Sequence, residues 1–426
     1  MNGFPLVSWC AVVLAAAAVV PAGWAGDWPQ FRGPDADGIW VCDGLPLGLD
    51  DGAIERVWRR EIGGGYSGIT VADGRLYTMD RPEGKAVEGS ERVVCLDAAT
   101  GEPVWDYRYQ AKYDGLDYGT GPRASVTVSA GAAYALGAVG HASCLDAESG
   151  AVRWAVDAES ELEATRPTWG FAASPVLWED SVIFHLGLPG GALVALARES
   201  GAEVWRGSDD PAGYATPTFA QHRGEDLMVA WTPEHIQGID PNSGTVRWSI
   251  PYPVRYGVSI AKPIVHEGIV LVCGYWHGSK AIRLGEEPGD ADLLWEVEEG
   301  IRGLMAQPLY KDGNVYLIDR ERGLMAFELE SGRVLWDDAE AHSVTPSDRN
   351  PQATLVWVKE SAGSPTERAL ILNANGELLS ATLTPEGFTI HSRAQVTGKT
   401  WAHPAYADGH LFVRTDSEIA CWKLRP

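Results

Sequence analysis

Basic residues are scarce in this chain: 34 Lys and Arg stand against 58 Asp and Glu over 426 residues, a formal charge of −24. A surface of that sign opposes non-specific binding to phosphate backbones and anionic lipid, so no nucleic-acid partner is expected. Cysteine is sparse as well. No two of the six are neighbours, and none has the spacing of a haem-attachment or zinc motif. The ten histidines form no HisGluXxxXxxHis, no Ser sits in a Gly-Xxx-Ser-Xxx-Gly elbow, and Gly63-Gly64-Gly65 precedes a strand pattern rather than a helix. Zinc hydrolysis, a serine nucleophile and a phosphate loop are therefore without sequence support.

Long apolar runs are also missing, with one exception. Val12–Val20 is apolar and is followed by small residues at Gly23 and Ala25. It reads as a secretory signal over residues 1–25, cut after Ala25, and it is too short to span a bilayer comfortably. No later segment is apolar enough to span. The expected product is exported, periplasmic or extracellular, with no transmembrane span. Five cysteines remain after cleavage, at Cys42, Cys95, Cys144, Cys273 and Cys421. An odd number is not a complete disulfide framework; Cys95 and Cys144 read as small buried side chains, and a Cys42–Cys421 bridge is conceivable.

What the chain has is a repeated phrase. LeuAspAlaAlaThrGlyGluProValTrp ends at Trp105 and LeuAspAlaGluSerGlyAlaValArgTrp at Trp154. Looser copies end at Trp205, Trp248 and Trp336. In each, Thr or Ser precedes Gly, and Trp follows that Gly by four residues. Asp or Asn, then Ser or Thr, then Gly between two apolar runs is hairpin chemistry, because the short side chains bond to nearby backbone and Gly accepts φ > 0. The Trp opens the next strand and is suited to packing between sheets.

Period-two alternation broken by dipeptides such as Asp-Gly divides each unit into four strands. Seven Trp anchors, at 58, 105, 154, 205, 248, 295 and 336, with Phe388 in a degenerate unit, make eight units of about 47 residues each. The final unit has three strands, and Ile54–Arg59 is a fourth strand without its own three. The expected fold is all-β: an eight-bladed β-propeller of four-stranded antiparallel blades over residues 53–426, its ring closed by the N-terminal strand, with residues 26–52 as an arm.

The Asp-Xxx-Xxx-Thr-Gly-Xxx-Xxx-Xxx-Trp phrase resembles the docking motif of the quinoprotein-type propellers, the PQQ-like repeat family, over nearly everything after residue 53. The opening AspTrpProGlnPheArgGlyPro (27–34) is similar to the mature start of secreted bacterial members. The resemblance implies one of two activities. One branch oxidises alcohols or sugars with pyrroloquinoline quinone and calcium, and typically carries adjacent cysteines against the quinone. The other is non-enzymatic and includes the lipoprotein of the outer-membrane β-barrel assembly machine. With no adjacent Cys pair and no matching motif for the calcium ligands or a catalytic Asp, no catalytic residue is assigned, and no cofactor is expected.

Up-and-down blades place the first and third turns on one face of the ring, and the second turns and blade-to-blade connections on the other. The first set is short and the second is elaborated, which points to recognition on the second. Two groups of candidates follow. Tyr107, Tyr113, Tyr118 and Trp276 lie in the long segments and suit a protein or glycan surface. Arg123, Trp169, Lys262, Arg302, Trp401 and His403 stand near the starts of inner strands, around the channel mouth. The functional expectation is a binding or assembly scaffold of the cell envelope with a protein partner; the alternative is a quinone-dependent dehydrogenase, or a relative that binds without turnover.

Overall fold

In the repeated phrase, Asp97 Oδ1 takes the amide of Thr100 at 3.0 Å and its hydroxyl at 3.0 Å, and Gly101 sits at φ +70°. Gly150, Gly201, Gly244 and Gly332 adopt φ between +68° and +74°. These glycines have a second reason to lack a side chain. A methyl group on Gly101 would fall 2.6 Å from the Trp58 indole, and one on Gly150 would fall 2.6 Å from Trp105. Gly201 faces Trp154 and Gly244 faces Trp205 in the same way. Each Trp thus lies flat on the turn of the next blade. Its indole N–H completes the dock: Trp58 donates to Ala98 O at 2.9 Å, Trp105 to Ala147 O at 3.1 Å, Trp154 to Arg198 O at 2.9 Å and Trp205 to Pro241 O at 3.0 Å. Trp295 and Trp336 repeat the bond to Leu329 O and Thr384 O, both at 2.9 Å.

Six such joints, at Trp58, Trp105, Trp154, Trp205, Trp295 and Trp336, tie neighbouring blades into a ring. The computed structural model describes residues 26–119, 121–303, 305–346, 349–361 and 367–425, so the expected signal segment lies outside the described residues. Eight antiparallel sheets follow in chain order, and the protein is an eight-bladed β-propeller with almost no helix. Blade 1 spans 70–112, blade 2 127–157, blade 3 176–207, blade 4 218–251, blade 5 264–297, blade 6 309–337 and blade 7 353–395. Blade 8 takes three strands from 405–423 and its outermost strand, Glu55–Glu61, from the N-terminus. That strand runs antiparallel to Glu418–Lys423, with Trp58 opposite Cys421, and closes the ring. Hydrophobic clusters lie between successive sheets, as in the group shared by blades 2 and 3 around Trp154, Phe184 and Val194. The five described cysteines are free and buried, Cys42 and Cys421 included. Among the described residues, no helix is long and apolar enough to cross a membrane.

Residues 27–41 lie along the ring axis, and residues 42–52 run outward along blade 7, where the Leu49 amide donates to Ser392 Oγ at 2.7 Å. Trp28 bridges Val71 of blade 1, and Pro29 O accepts from Val128 of blade 2. Phe31 meets His403 edge-on at 4.7 Å before blade 8, Arg32 donates to Pro308 O at 3.1 Å before blade 6, and Ala36 O accepts from Lys262 at 2.9 Å before blade 5. Ile39–Val41 then pairs parallel to Ala353–Lys359, the inner strand of blade 7, giving that blade a fifth strand. The arm touches the inner edges of six blades and so fills one end of the channel. Its Trp28 and Asp27 sit beside the Asp73 turn, on the short-turn side.

Candidate functional site

With the short-turn end plugged, the channel is a blind funnel of about 620 Å³ that opens on the loop face. Its walls come from the connections that lead into the inner strands. These connections are fixed to one another around the axis: Ser125 N–H donates to Ser174 Oγ at 3.0 Å, Ser174 N–H to Thr216 Oγ1 at 3.0 Å, and Lys262 N–H to Gln307 Oε1 at 2.7 Å. Just below, Thr70, Thr127 and Thr218 donate their hydroxyls to Val126, Pro175 and Pro263 carbonyls of the next blade, at 2.5 to 2.7 Å. A rigid polar collar therefore holds the lining in place.

The lining is mostly aromatic over blades 8, 1, 2, 3, 4 and 5. Tyr66 stacks on Trp401 at 5.8 Å and 28°, and Tyr118 meets the same indole at 5.8 Å. Trp169 leans on Tyr214 at 5.6 Å, and Trp276 faces Tyr256 at 6.3 Å. Blades 6 and 7 contribute Met305, Gln307, Arg349 and Asn350 instead. Phe31 of the arm and His403 reach the funnel from below.

Of the six residues expected at the channel mouth, Arg123, Trp169, Trp401 and His403 line the funnel, and Lys262 and Arg302 do not. Lys262 turns onto the arm. Burial, with Arg32 nearby, pushes its ammonium down to about 7. Arg302 pairs with Glu321 at 2.6 Å, and its amide donates to Asp319. Burial holds His403 down at about 3, and Arg32 adds to the effect. The Arg123 guanidinium is spent on backbone: it donates to Gly121 O, to Asp117 O at 2.8 Å and to Tyr118 O at 2.9 Å.

Of the four loop-face aromatics, Tyr118 and Trp276 line the funnel. The other two are placed differently from the expectation. Pro103–Lys112 is a strand, paired with Glu88–Asp97, and not part of a long connecting segment. Tyr107 lies half-buried on that strand with its hydroxyl 3.0 Å from His141 Nε2. Tyr113 is buried: its hydroxyl donates to Glu91, and its ring lies 3.8 Å from the Arg81 guanidinium. Glu91 is fully buried and also takes the Tyr109 hydroxyl at 2.5 Å and the Ala138 amide at 3.0 Å. Burial first, and then Glu91, raises the Tyr113 phenol far above its ordinary value. Tyr113 holds blade 1 to the next connection and is no part of an exposed surface.

Sequence reasoning missed Tyr66, Tyr214 and Tyr256. All three stand in connections that end on an inner strand, and Tyr256, at φ +60°, is 61% exposed. The signal available for Tyr214 and Tyr256 was an aromatic shortly ahead of the Thr216-Pro217 or Lys262-Pro263 strand start.

A quinone–calcium pair does not fit these residues. Asp117 is the only carboxylate among the lining residues, and no cysteine lines the funnel. The one group of three metal-competent side chains among the described residues, Asp210, Glu234 and His235, lies elsewhere, in the connection to blade 4 and a turn of that blade. There Asp210 is engaged by Thr232 Oγ1 at 2.6 Å and His235 Nδ1 at 2.9 Å.

A closed eight-bladed propeller with tryptophan-docked blades and a one-ended axial funnel defines the class. Within that class, residues 48–116 and 90–338 match the PQQ-like repeat family described as outer membrane protein assembly factor BamB, and the chain belongs to that family. It is 23% identical over 305 residues to the outer membrane protein assembly factor BamB of Yersinia pestis, covering 67% of this chain and 70% of that protein. BamB from Moraxella catarrhalis shares the fold at a TM-score of 0.55 and 18% identity, over 87% of this chain and 97% of that one. A europium-containing methanol dehydrogenase shares it at 0.65 and 10% identity, over 93% and 98%. The quinohemoprotein alcohol dehydrogenase of Comamonas testosteroni gives 0.64 and 13%, over 93% and 80%. At these identities the structural likenesses report the fold alone.

Proposed function

We propose that the protein is an exported binding and assembly scaffold of the cell envelope that engages a protein partner through its loop face. The observation that carries this reading is the difference between the two ends of the ring. One end holds short turns and a channel plugged by the chain's own arm. The other presents a funnel rimmed by Tyr118, Tyr256 and Trp276. Exposed aromatics on a rigid collar are the usual makings of a hot spot. The relatives named as outer membrane assembly factors support the assembly role. The apolar run Val12–Val20 supports export.

The test is capture of a partner from the native envelope fraction. Tyr256→Ala and Trp276→Ala are each expected to weaken capture by about tenfold or more, as hot-spot aromatics do. Glu102 and Arg333 lie at turns on the opposite face and pair with Arg60 and Glu328. Replacing them removes exposed ion pairs of little consequence and is expected to leave capture unchanged. Capture lost only at Glu102 and Arg333 would place the working surface on the wrong side of the ring.

A further inference from the structure

We propose that the funnel is a binding site for a neutral oligosaccharide, taken end-on. This goes beyond the scaffold reading and does not depend on any protein partner. Four observations converge on that ligand chemistry.

The first is the division of the wall. Aromatic rings line the arc from blade 8 round to blade 5, and the blade 7 arc offers the half-buried Asn350 amide. A pyranose ring has the same two-sided character, with C–H faces that pack on aromatic rings and hydroxyls around its edge that need hydrogen bonds.

The second concerns the indole N–H groups. Six of the seven blade-docking tryptophans, all but Trp248, donate theirs to carbonyls. Among the described residues, by contrast, Trp169, Trp276 and Trp401 make no indole hydrogen bond, and each is only half-buried at the funnel wall. An apolar face beside an unused donor suits a polyhydroxylated ligand, since Trp N–H groups ordinarily find a partner once covered.

The third is charge. The lining holds one carboxylate, Asp117, beside two guanidinium groups, Arg123 and Arg349; Arg123 has committed its own to three backbone carbonyls, and the chain as a whole carries −24. The −24 of the whole chain repels a polyanion at long range, whereas a neutral ligand is indifferent to it and needs no charged partner in the funnel. The fourth is shape. At about 620 Å³ the funnel is within the range of small-ligand sites, and the arm beneath Phe31 prevents a chain from threading through.

The experiment is a tryptophan-fluorescence titration of the mature protein with cellohexaose, chitohexaose and maltohexaose, run beside pyrroloquinoline quinone and a Trp/Tyr-rich peptide. At least one hexasaccharide is expected to bind saturably. Trp401→Ala and Trp169→Ala are each expected to weaken that binding by about tenfold or more. Trp178→Ala removes an indole outside the funnel, bonded to Asn242, and is expected to leave binding unchanged. In the unaltered protein, the bound sugar is expected to shield Trp169 and Trp401 from N-bromosuccinimide oxidation, so the test stands even if an alanine variant fails to fold. No saturable binding by any of the three sugars overturns the proposal. So does binding that is indifferent to both alanine changes and gives no shielding, or binding confined to the quinone or the peptide. If the sugars fail while Trp276→Ala still abolishes partner capture, the glycan site falls and the scaffold reading survives.

Discussion

A mature chain that begins at residue 62 is expected to lose its cooperative thermal transition. The strand it lacks, Glu55–Glu61, is the outer edge of blade 8 and runs opposite Glu418–Lys423 over six residue pairs. Its loss leaves that blade with three strands and an open edge. It also removes Trp58, whose ring covers Gly101 and whose N–H satisfies Ala98 O, so the joint between blades 8 and 1 goes with it. The arm is lost too, and with it Trp28, Trp40, Leu45 and Leu49 from the core that blades 7, 8 and 1 share. In a closed ring these losses fall on one site, and no neighbouring repeat compensates. Calorimetry of the shortened chain beside the full mature chain is the measurement. A sharp transition at an unchanged temperature would mean that the ring is not closed by the N-terminal strand.

Trp154→Ala is expected to cost about 3–5 kcal/mol, the range for removing a large aromatic from a packed interior. The indole is buried between blades 2 and 3, where it meets Phe184 edge-on at 6.4 Å and lies against Gly201. The change leaves a cavity beside a glycine that cannot fill it. It also leaves the Arg198 carbonyl without its 2.9 Å donor. Trp154→Phe separates the two losses. It keeps part of the ring and gives up the hydrogen bond, for which about 1 kcal/mol is expected. Denaturant midpoints report both. A midpoint unmoved by Trp154→Ala would contradict the docking role given to the repeated tryptophans.

The ring and its closure were legible in the sequence because one local rule is written many times. Ser or Thr, Gly and then Trp fixes a turn, a φ and an anchor, and each copy needs only its immediate neighbour to make sense. The plug is a different kind of information. Arg32 finds its acceptor in Pro308, 276 residues away, and Ile39–Val41 pairs with a strand more than 300 residues on. No period marks such contacts, so residues 26–52 read only as an arm. Tyr113 was legible in principle. Tyr107, Tyr109, Ala111 and Tyr113 alternate with Arg108, Gln110 and Lys112, which is the two-residue period of a half-buried strand. Glu91, which gathers two of those tyrosines, gave no signal at all, because a carboxylate in a strand pattern reads as a solvent-facing residue.

The funnel was half visible. Trp169, Trp401, Arg123 and His403 were found because they mark inner-strand starts, and Tyr118 and Trp276 because they stood in long segments. That the two sets meet in one cavity follows from the ring geometry, which brings the connections of separate blades to a common axis. Lys262 shared the same sequence position and was drawn instead to the arm, whose carbonyl at Ala36 it needs.

The central claim is that this propeller binds rather than turns over. Its most direct test is dye reduction by the purified mature protein after incubation with pyrroloquinoline quinone and Ca²⁺, across a panel of alcohols and sugars. The account predicts no substrate-dependent reduction and no quinone absorbance retained after desalting, since the funnel offers Asp117 as its only carboxylate and spends Arg123 on its own backbone. Saturable, substrate-dependent turnover would contradict it.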